Sequence, residues 1–393
     1  MAKKIIAQKF GGTSVATPES RRLVVGHIRR SIAEGYSPVV VVSAMGRRGA
    51  PYATDTLLEL IRAEGQPVAG RDEDMIFHCG EIISAAIMSH LLKLSGLPAV
   101  GLTGGQACIY TDGRSRRAKI VRIDASRMLR HVEQGEIPVV TGGQGVTFEE
   151  GEVTILGRGA SDTSGVAVGV AVGAEKAEIY TDVPGVAITD PRVVPQARFL
   201  KEISYRKMYE MGVYGARVMH PGAVLIGQRG GVPIVCRSTF IEGPGTLITE
   251  TRNEPALVGI PSMGPVELLK VSGGDSLSLG QEELYDQFAA VAMKGVEDGM
   301  VVVAVAPDWR KPLEESLAGQ GVRVQKMASD KSLVSLVGSP AFIAESFPRV
   351  ESLLGTLGID PAFREQAEIR STFAIPNDQS SPLVRALYET LVS

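Results

Sequence analysis

The chain has 393 residues, 22% of them charged, and a formal net charge of -3; it has room for two or three domains and gives no electrostatic reason for nucleic acid or an anionic membrane as partner. Its three cysteines, Cys79, Cys108 and Cys236, lie far apart without a C-x-x-C pair, which argues against a disulfide framework or structural zinc and for a reducing compartment. No apolar signal core follows Met1 and no run of about 18 apolar residues occurs, so a cytoplasmic protein is expected, with small molecules and further copies of itself as partners.

Residues 3–10 read as a strand, 18–34 as a helix and 38–43 as a second strand. In the latter, Val39, Val40, Val41 and Val42 form a β-branched run suited to burial on both faces. A polar loop over 45–54 leads to a helix at 55–63 and a long helix at about 72–94, stopped by Gly96 with Pro98 just beyond. Strands recur near 99–102, 138–141 and 177–181, each followed by glycine or hydroxyl residues. That rhythm predicts βαβ units and a mostly parallel sheet, with ligands outside the carboxyl ends of its strands. The pattern weakens around 249–265, where Pro255, Pro261 and Pro265 punctuate it. Beyond, strand, helix and strand recur at 266–271, 282–297 and 300–305, then at 333–337, 342–357 and 370–374. The expected division is therefore 1–250, a linker at 251–265, and 266–393.

Lys9, Gly11, Gly12, Thr13 and Ser14 close the first strand. Glycines admit an anion close to backbone N–H groups, hydroxyls add donors and a buried lysine adds fixed charge, which together describe a phosphate cradle. The string is neither a Walker A loop nor the G-x-G-x-x-G fingerprint, and a glycine turn beside a solvated lysine would read the same. With Lys9 about 3 Å from a transferring phosphoryl oxygen, their attraction is roughly 5 kcal/mol at an effective dielectric near 20.

A second cluster, residues 157–164, separates a strand pattern at 153–156 from an apolar helix running to about 172. Ser161 or Asp162 would cap that helix, and Arg158 beside its N-terminus exceeds what capping needs, since a guanidinium there can grip a carboxylate or phosphate. Glu81 lies within the long helix, with Phe77 and Ala85 one turn away and Gly80 beside it. It is either an ordinary exposed glutamate or an acid facing a small apolar recess, where it needs a cation such as a substrate ammonium. Thr181, Asp182, Asp190 and Arg192 flank Pro184 and Gly185 at another strand end, a set suited to a nucleotide with its magnesium ion. Glycine-rich loops at 103–106 and 141–145 are candidate walls of the same cleft. His27, His78, His90, His131 and His220 form no triad or H-E-x-x-H pattern and read as surface or packing residues.

Taken together and in order, residues 9–15, 42–46, 79–81, 157–164 and 181–192 resemble the aspartokinases of the amino acid kinase superfamily, over about residues 3–249. The resemblance implies an α/β, three-layer αβα amino acid kinase fold with a mostly parallel sheet, followed by two ACT-like (βαββαβ) α+β modules. It implies transfer of the γ-phosphoryl group from ATP with Mg2+ to the β-carboxylate of L-aspartate, the first step towards diaminopimelate, lysine, threonine and methionine. By similarity, Lys9, Arg158 and Asp162 are catalytic, while Ser43, Thr54, Glu81, Arg158 and Ser161 bind the amino acid. Lys9, Gly11, Gly12, Thr13, Ser14, Thr181, Asp182, Asp190, Arg192 and Arg217 would bind the nucleotide, with no metal site made of protein ligands.

Three positions depart from the family's habit. Ala160 stands where glycine is usual, Arg217 where lysine is usual, and Ala187 where an aromatic often packs near the nucleotide. The first two are tolerable changes, whereas the third is expected to weaken nucleotide affinity. The ACT-like region, whose first module residues 369–393 would complete, implies a homodimer and a possible amino acid effector. The usual effector loop is not recognisable in 271–280, so altered or lost feedback control is expected. A kinase for another amino acid or carbamate, and a non-catalytic regulatory paralogue, are the competing readings.

Overall fold

The computed structural model describes residues 3–157, 159–272, 280–296 and 300–392. The chain forms two compact units, one from Met1–Val186 and Val218–Glu250, the other from Ala187–Arg217 and Thr251–Ser393. The first unit's last segment ends at Glu250. Two details differ from the sequence reading: Ala187–Arg217 belongs with the second unit, and 251–265 carries strand structure rather than a bare linker.

The first unit opens with β1 (Lys4–Phe10), a single helical turn α1 (Gly12–Val15), α2 (Pro18–Ala33) and β2 (Tyr36–Val42). α2 starts where it does because Thr17 Oγ1 accepts from Ser20 N while Ser20 Oγ accepts from Thr17 N, with Pro18 at the first helical position. Next come α3 (Thr54–Ala63), α4 (Gly70–Leu94), β3 (Ala99–Leu102), β4 (Ile109–Thr111), β5 (Ile120–Ile123) and α5 (Ser126–Glu133). β6 (Ile137–Thr141), β7 (Gln144–Thr147), β8 (Val153–Ile155), α6 (Ala160–Ala171) and β9 (Lys176–Thr181) follow. The chain then contributes β10 (Glu202–Ser204) and α7 (Tyr205–Val213) to the second unit and returns with α8 (Pro221–Gly230), β11 (Ile234–Ser238) and β12 (Thr246–Thr249).

Within this unit one sheet runs β12-β11-β9-β1-β2-β6-β3, parallel throughout except for β12. Val39 to Val42 are wholly buried, as an apolar run in a covered parallel sheet should be. Phe10 and Tyr180 share a core with Val24 and Ile28 of α2 and Met88 of α4. α6 covers the opposite face, where a Cβ at Gly169 would stand 3.1 Å from Ala7 Cβ. The result is the three-layer αβα arrangement. α4 is long and apolar enough by composition to cross a membrane, yet half of its most apolar window is buried here. Its buried residues include Glu73, Asp74, His78 and Glu81, so it is a core helix. A smaller sheet, β5-β4-β7-β8, has strands of three or four residues, too short to show a period in the sequence.

The second unit adds β13 (Leu257–Gly259), β14 (Ser262–Ser272), α9 (Gln281–Phe288), β15 (Val291–Lys294), β16 (Val301–Val305) and α10 (Arg310–Ala318). It ends with β17 (Arg323–Gly338), α11 (Pro340–Thr356), β18 (Phe363–Gln366), β19 (Arg370–Pro376) and α12 (Ser380–Leu391). Its sheet is antiparallel in the order β15-β16-β14-β17-β19-β18, with β13 on β17. From β14 to β17 the elements follow βαββαβ order. The helix expected over 282–297 ends at Phe288 instead: Ala289 adopts φ 48, and Val291 and Met293 turn inward as β15 pairs with β16. Most of the segment on which the feedback expectation rests, 273–279, lies outside the described residues.

Candidate active site

β1 ends at the carboxyl edge of the parallel sheet, where the loops after β2 and β9 also emerge. Lys9 projects to the face that α6 covers. A Cβ at Gly165 would come 2.7 Å from Lys9 Cβ, so glycine is what allows the helix this close. Lys9 Nζ lies 2.6 Å from Asp162 Oδ1, with both side chains largely buried. Asp162 sits in the first turn of α6, where the helix dipole favours a carboxylate, and its Oδ2 accepts from His220 N at 3.2 Å. The lysine is thereby aimed along the end of α6.

The cradle is tied down on both sides. Gly11 N donates to Tyr180 O at 3.2 Å, and Gly46 N donates to Gly12 O at 3.0 Å. A Cβ at Gly12 would meet Gly46 O at 2.7 Å and Ala44 O at 2.8 Å, so no larger residue fits under the β2–α3 loop. Thr13 is half-buried on the same turn. Ser14, expected among the phosphate donors, is fully buried with its Oγ 2.7 Å from Thr239 Oγ1, where it braces the turn.

Beside the cradle is a cavity of about 460 Å3, whose wall includes Gly12, Ser43, Thr54, Glu81, Gly143 and Ser161. Ser43 Oγ donates to Ser161 Oγ at 2.9 Å, joining the loop after β2 to the start of α6. Glu81 is 4% exposed. Its Oε1 accepts from Ala44 N at 3.3 Å while Oε2 is buried without a hydrogen-bond partner. Burial pushes the Glu81 carboxyl up to about 8. Gly80 makes the recess: a Cβ there would stand 2.9 Å from Ala44 Cβ. A buried acid with one oxygen left unpartnered at the wall of an open cavity is suited to receive a cation.

The remaining expected residues divide between the units. Thr181 ends β9 in the first unit, and its Oγ1 donates to Asp182 Oδ1 at 3.1 Å. Asp190, Arg192 and Arg217 belong to the second unit. There Arg192 holds both oxygens of Asp190 at 2.6 to 3.1 Å, and its hydrogen bonds keep that carboxyl below the usual range. Arg217 is exposed after Gly215, whose φ is 118. Ala160 is buried at the start of α6, so its methyl is accommodated. Ala187 pairs in an isolated bridge with the exposed aromatic Phe199. Arg158 lies outside the described residues.

Sequence reasoning missed several participants. Arg47, Arg48 and Asp55 also border the cavity; the two arginines lay in a loop read simply as polar, and Asp55 was read only as the start of the helix that follows. His220 caps α8, its Nδ1 accepting from Gly222 N, while its backbone N–H holds Asp162. Thr239 joins three elements: its N donates to Thr181 O, its carbonyl lies 2.9 Å from His27 Nε2, and its hydroxyl meets Ser14. Among the described residues no three His, Cys, Asp or Glu side chains converge as a metal site.

Comparison with known proteins agrees with this geometry. The amino acid kinase family profile matches residues 4–238. Aspartokinase 1 of Bacillus subtilis (strain 168) is 41% identical over 302 residues, covering 75% of this chain and 74% of that protein. An aspartokinase of Thermus thermophilus is 33% identical over 420 aligned positions, 98% of each chain. Among solved structures, E. coli aspartokinase III in complex with aspartate and ADP has a TM-score of 0.79 at 20% identity, covering 99% of this chain and 100% of that one. It shares the fold. With profile, full-length relatives and fold in accord, the chain belongs to the amino acid kinase family and, within it, to the aspartokinases.

Proposed function

We infer that this chain is an aspartate kinase, converting ATP and L-aspartate to ADP and 4-phospho-L-aspartate. The observation that carries the reading is the juxtaposition of a glycine cradle and buried lysine with a cavity whose wall holds a buried acid, Glu81, with its Oε2 unpartnered. The cradle amides and Lys9 would receive the triphosphate, and Glu81 the substrate ammonium. Ser43, Thr54 and Ser161 would orient the amino acid, with Arg158 on a carboxylate. The acceptor is already ionised at pH 7, so no general base is needed: a β-carboxylate oxygen bonds to the γ-phosphorus as the bond to the β,γ-bridging oxygen breaks, and ADP departs. Asp162 keeps Lys9 in line through this transfer. Magnesium carried on the phosphates of the substrate would offset part of their charge.

The nearest expectations extend this reading. Thr181 and Asp182, at the end of β9, serve the nucleotide. The product feeds synthesis of the aspartate-derived amino acids in the cytoplasm, and the antiparallel unit acts as tandem ACT-like modules that join two copies, with altered or lost feedback. Incubation of the purified chain with ATP, magnesium, hydroxylamine and either aspartate or glutamate tests the central claim. Aspartyl hydroxamate is the expected product. Glutamyl hydroxamate alone, or neither product, overturns it.

A further inference from the structure

The loop that joins β2 to α3 touches both halves of the candidate site. On the acceptor side Ala44 N donates to Glu81 Oε1, and Ser43 Oγ donates to Ser161 Oγ. On the donor side Gly46 N donates to Gly12 O at 3.0 Å. Arg47 follows immediately, after a glycine at φ 87. Its guanidinium reaches Asp182 Oδ2 at 2.5 Å, across from the cradle's own strand, and Arg47 borders the cavity.

The charges at this point do not balance once substrates arrive. A triphosphate and an ionised acceptor carboxylate bring several negative charges together, while Lys9 is already matched by Asp162 at 2.6 Å. Among the described residues lining the cavity, the cationic side chains are Arg47 and Arg48. Arg48 is gripped by Glu59 of α3 through both Nε and an Nη at 2.8 and 2.6 Å. Arg47 is held through one nitrogen rather than two, in a pair whose side chains are 73% and 42% exposed, against 78% and 48% for Arg48 and Glu59. So exposed a pair is easily exchanged. Asp182 keeps the Thr181 hydroxyl on its other oxygen when the arginine leaves.

Resting on the aspartate kinase reading, we propose that Arg47 is a catalytic residue that leaves Asp182 for the transferring phosphoryl group when both substrates are bound. It forms no covalent bond and moves no proton. Its planar donors bind the equatorial oxygens while charge spreads over them, so its contribution falls on turnover rather than on capture of either substrate. The spent Asp182 carboxylate then recovers it as product departs.

The test compares wild type, Arg47→Ala and Arg47→Lys in steady-state ADP release with ATP, magnesium and aspartate, alongside hydroxamate formation. Arg47→Ala is expected to lose about a hundredfold or more in kcat, with the KM for each substrate within about threefold, and to regain activity with added guanidinium ion. Arg47→Lys should fall between. Because the side chain is exposed, melting temperatures should agree among the three. A wild-type kcat in Arg47→Ala overturns the proposal, as does a change confined to KM or a loss that neither lysine nor guanidinium restores. If wild type itself forms no aspartyl hydroxamate, the kinase reading falls and this proposal with it.

Discussion

Replacing Glu81 with glutamine removes a charge that the free protein seldom carries and that, with Glu81 proposed as receptor for the substrate ammonium, binding of aspartate requires. Burial raises this carboxyl from 4.5 to about 8, which corresponds to roughly 5 kcal/mol against the anion. At pH 7 about one molecule in ten is therefore ionised and ready for a cation. The kcat/KM for aspartate should climb about tenfold from pH 6 to 7 and level off above about 8. Stability runs the other way. The folded state keeps a proton that the unfolded chain releases above about pH 4.5, so stability falls as pH rises towards about 8 and is lowest beyond it. Glu81→Gln should flatten the acid limb, lower kcat/KM about ten- to a hundredfold at pH 8 and raise the melting temperature there. Initial rates of ADP release from pH 6 to 9, with melting curves at the same values, measure both effects. A level wild-type profile between pH 6 and 8, or an unchanged acid limb in the glutamine variant, would refute the reasoning.

Lys9→Ala should cost at least about a hundredfold in kcat by removing the cation nearest the cradle; steady-state rates retaining a tenth of activity would contradict that role. Gly165→Ala places a methyl 2.7 Å from Lys9 Cβ. Displacement of the lysine should lower kcat about tenfold or more, with about 1–3 kcal/mol lost in urea melts, and unchanged values for both would show that the helix yields freely. In the second unit, Arg370 is buried between Glu210 at 2.8 Å and Glu365 at 2.5 Å, over the ring of Tyr214. Arg370→Ala strands two carboxylates and should destabilise the protein by about 3–5 kcal/mol in denaturant unfolding, whereas a loss under 1 kcal/mol would mean the network relaxes at little cost.

What could be read beforehand follows the range of the signals. The valine run of β2 and the glycine-bounded helix α4 are long enough for their periods to survive, and both lie where the pattern put them. Glu81 was legible because Phe77, Gly80 and Ala85 surround it on the helix itself. Contacts made through space were not. Ser14 looks like a donor in sequence and turns to Thr239, 225 residues away. Arg47 looks like loop polarity until Asp182 is set opposite it. The end of α9 failed because residues 289–296 keep helix-compatible composition, while the sheet offers Val291 and Met293 a better burial.

β17 alone extends for 16 residues, pairing with β14 over much of its length and with β19 near its end. At about 3.3 Å per residue it spans roughly 50 Å. Two sides of a sheet that share one strand cannot be cut apart cleanly. Cleavage anywhere along it would bare rows of backbone donors and acceptors on β14 or β19, turning each half into a sticky sheet edge. The antiparallel unit should thus open as a single cooperative body in hydrogen exchange, and isolated halves should self-associate.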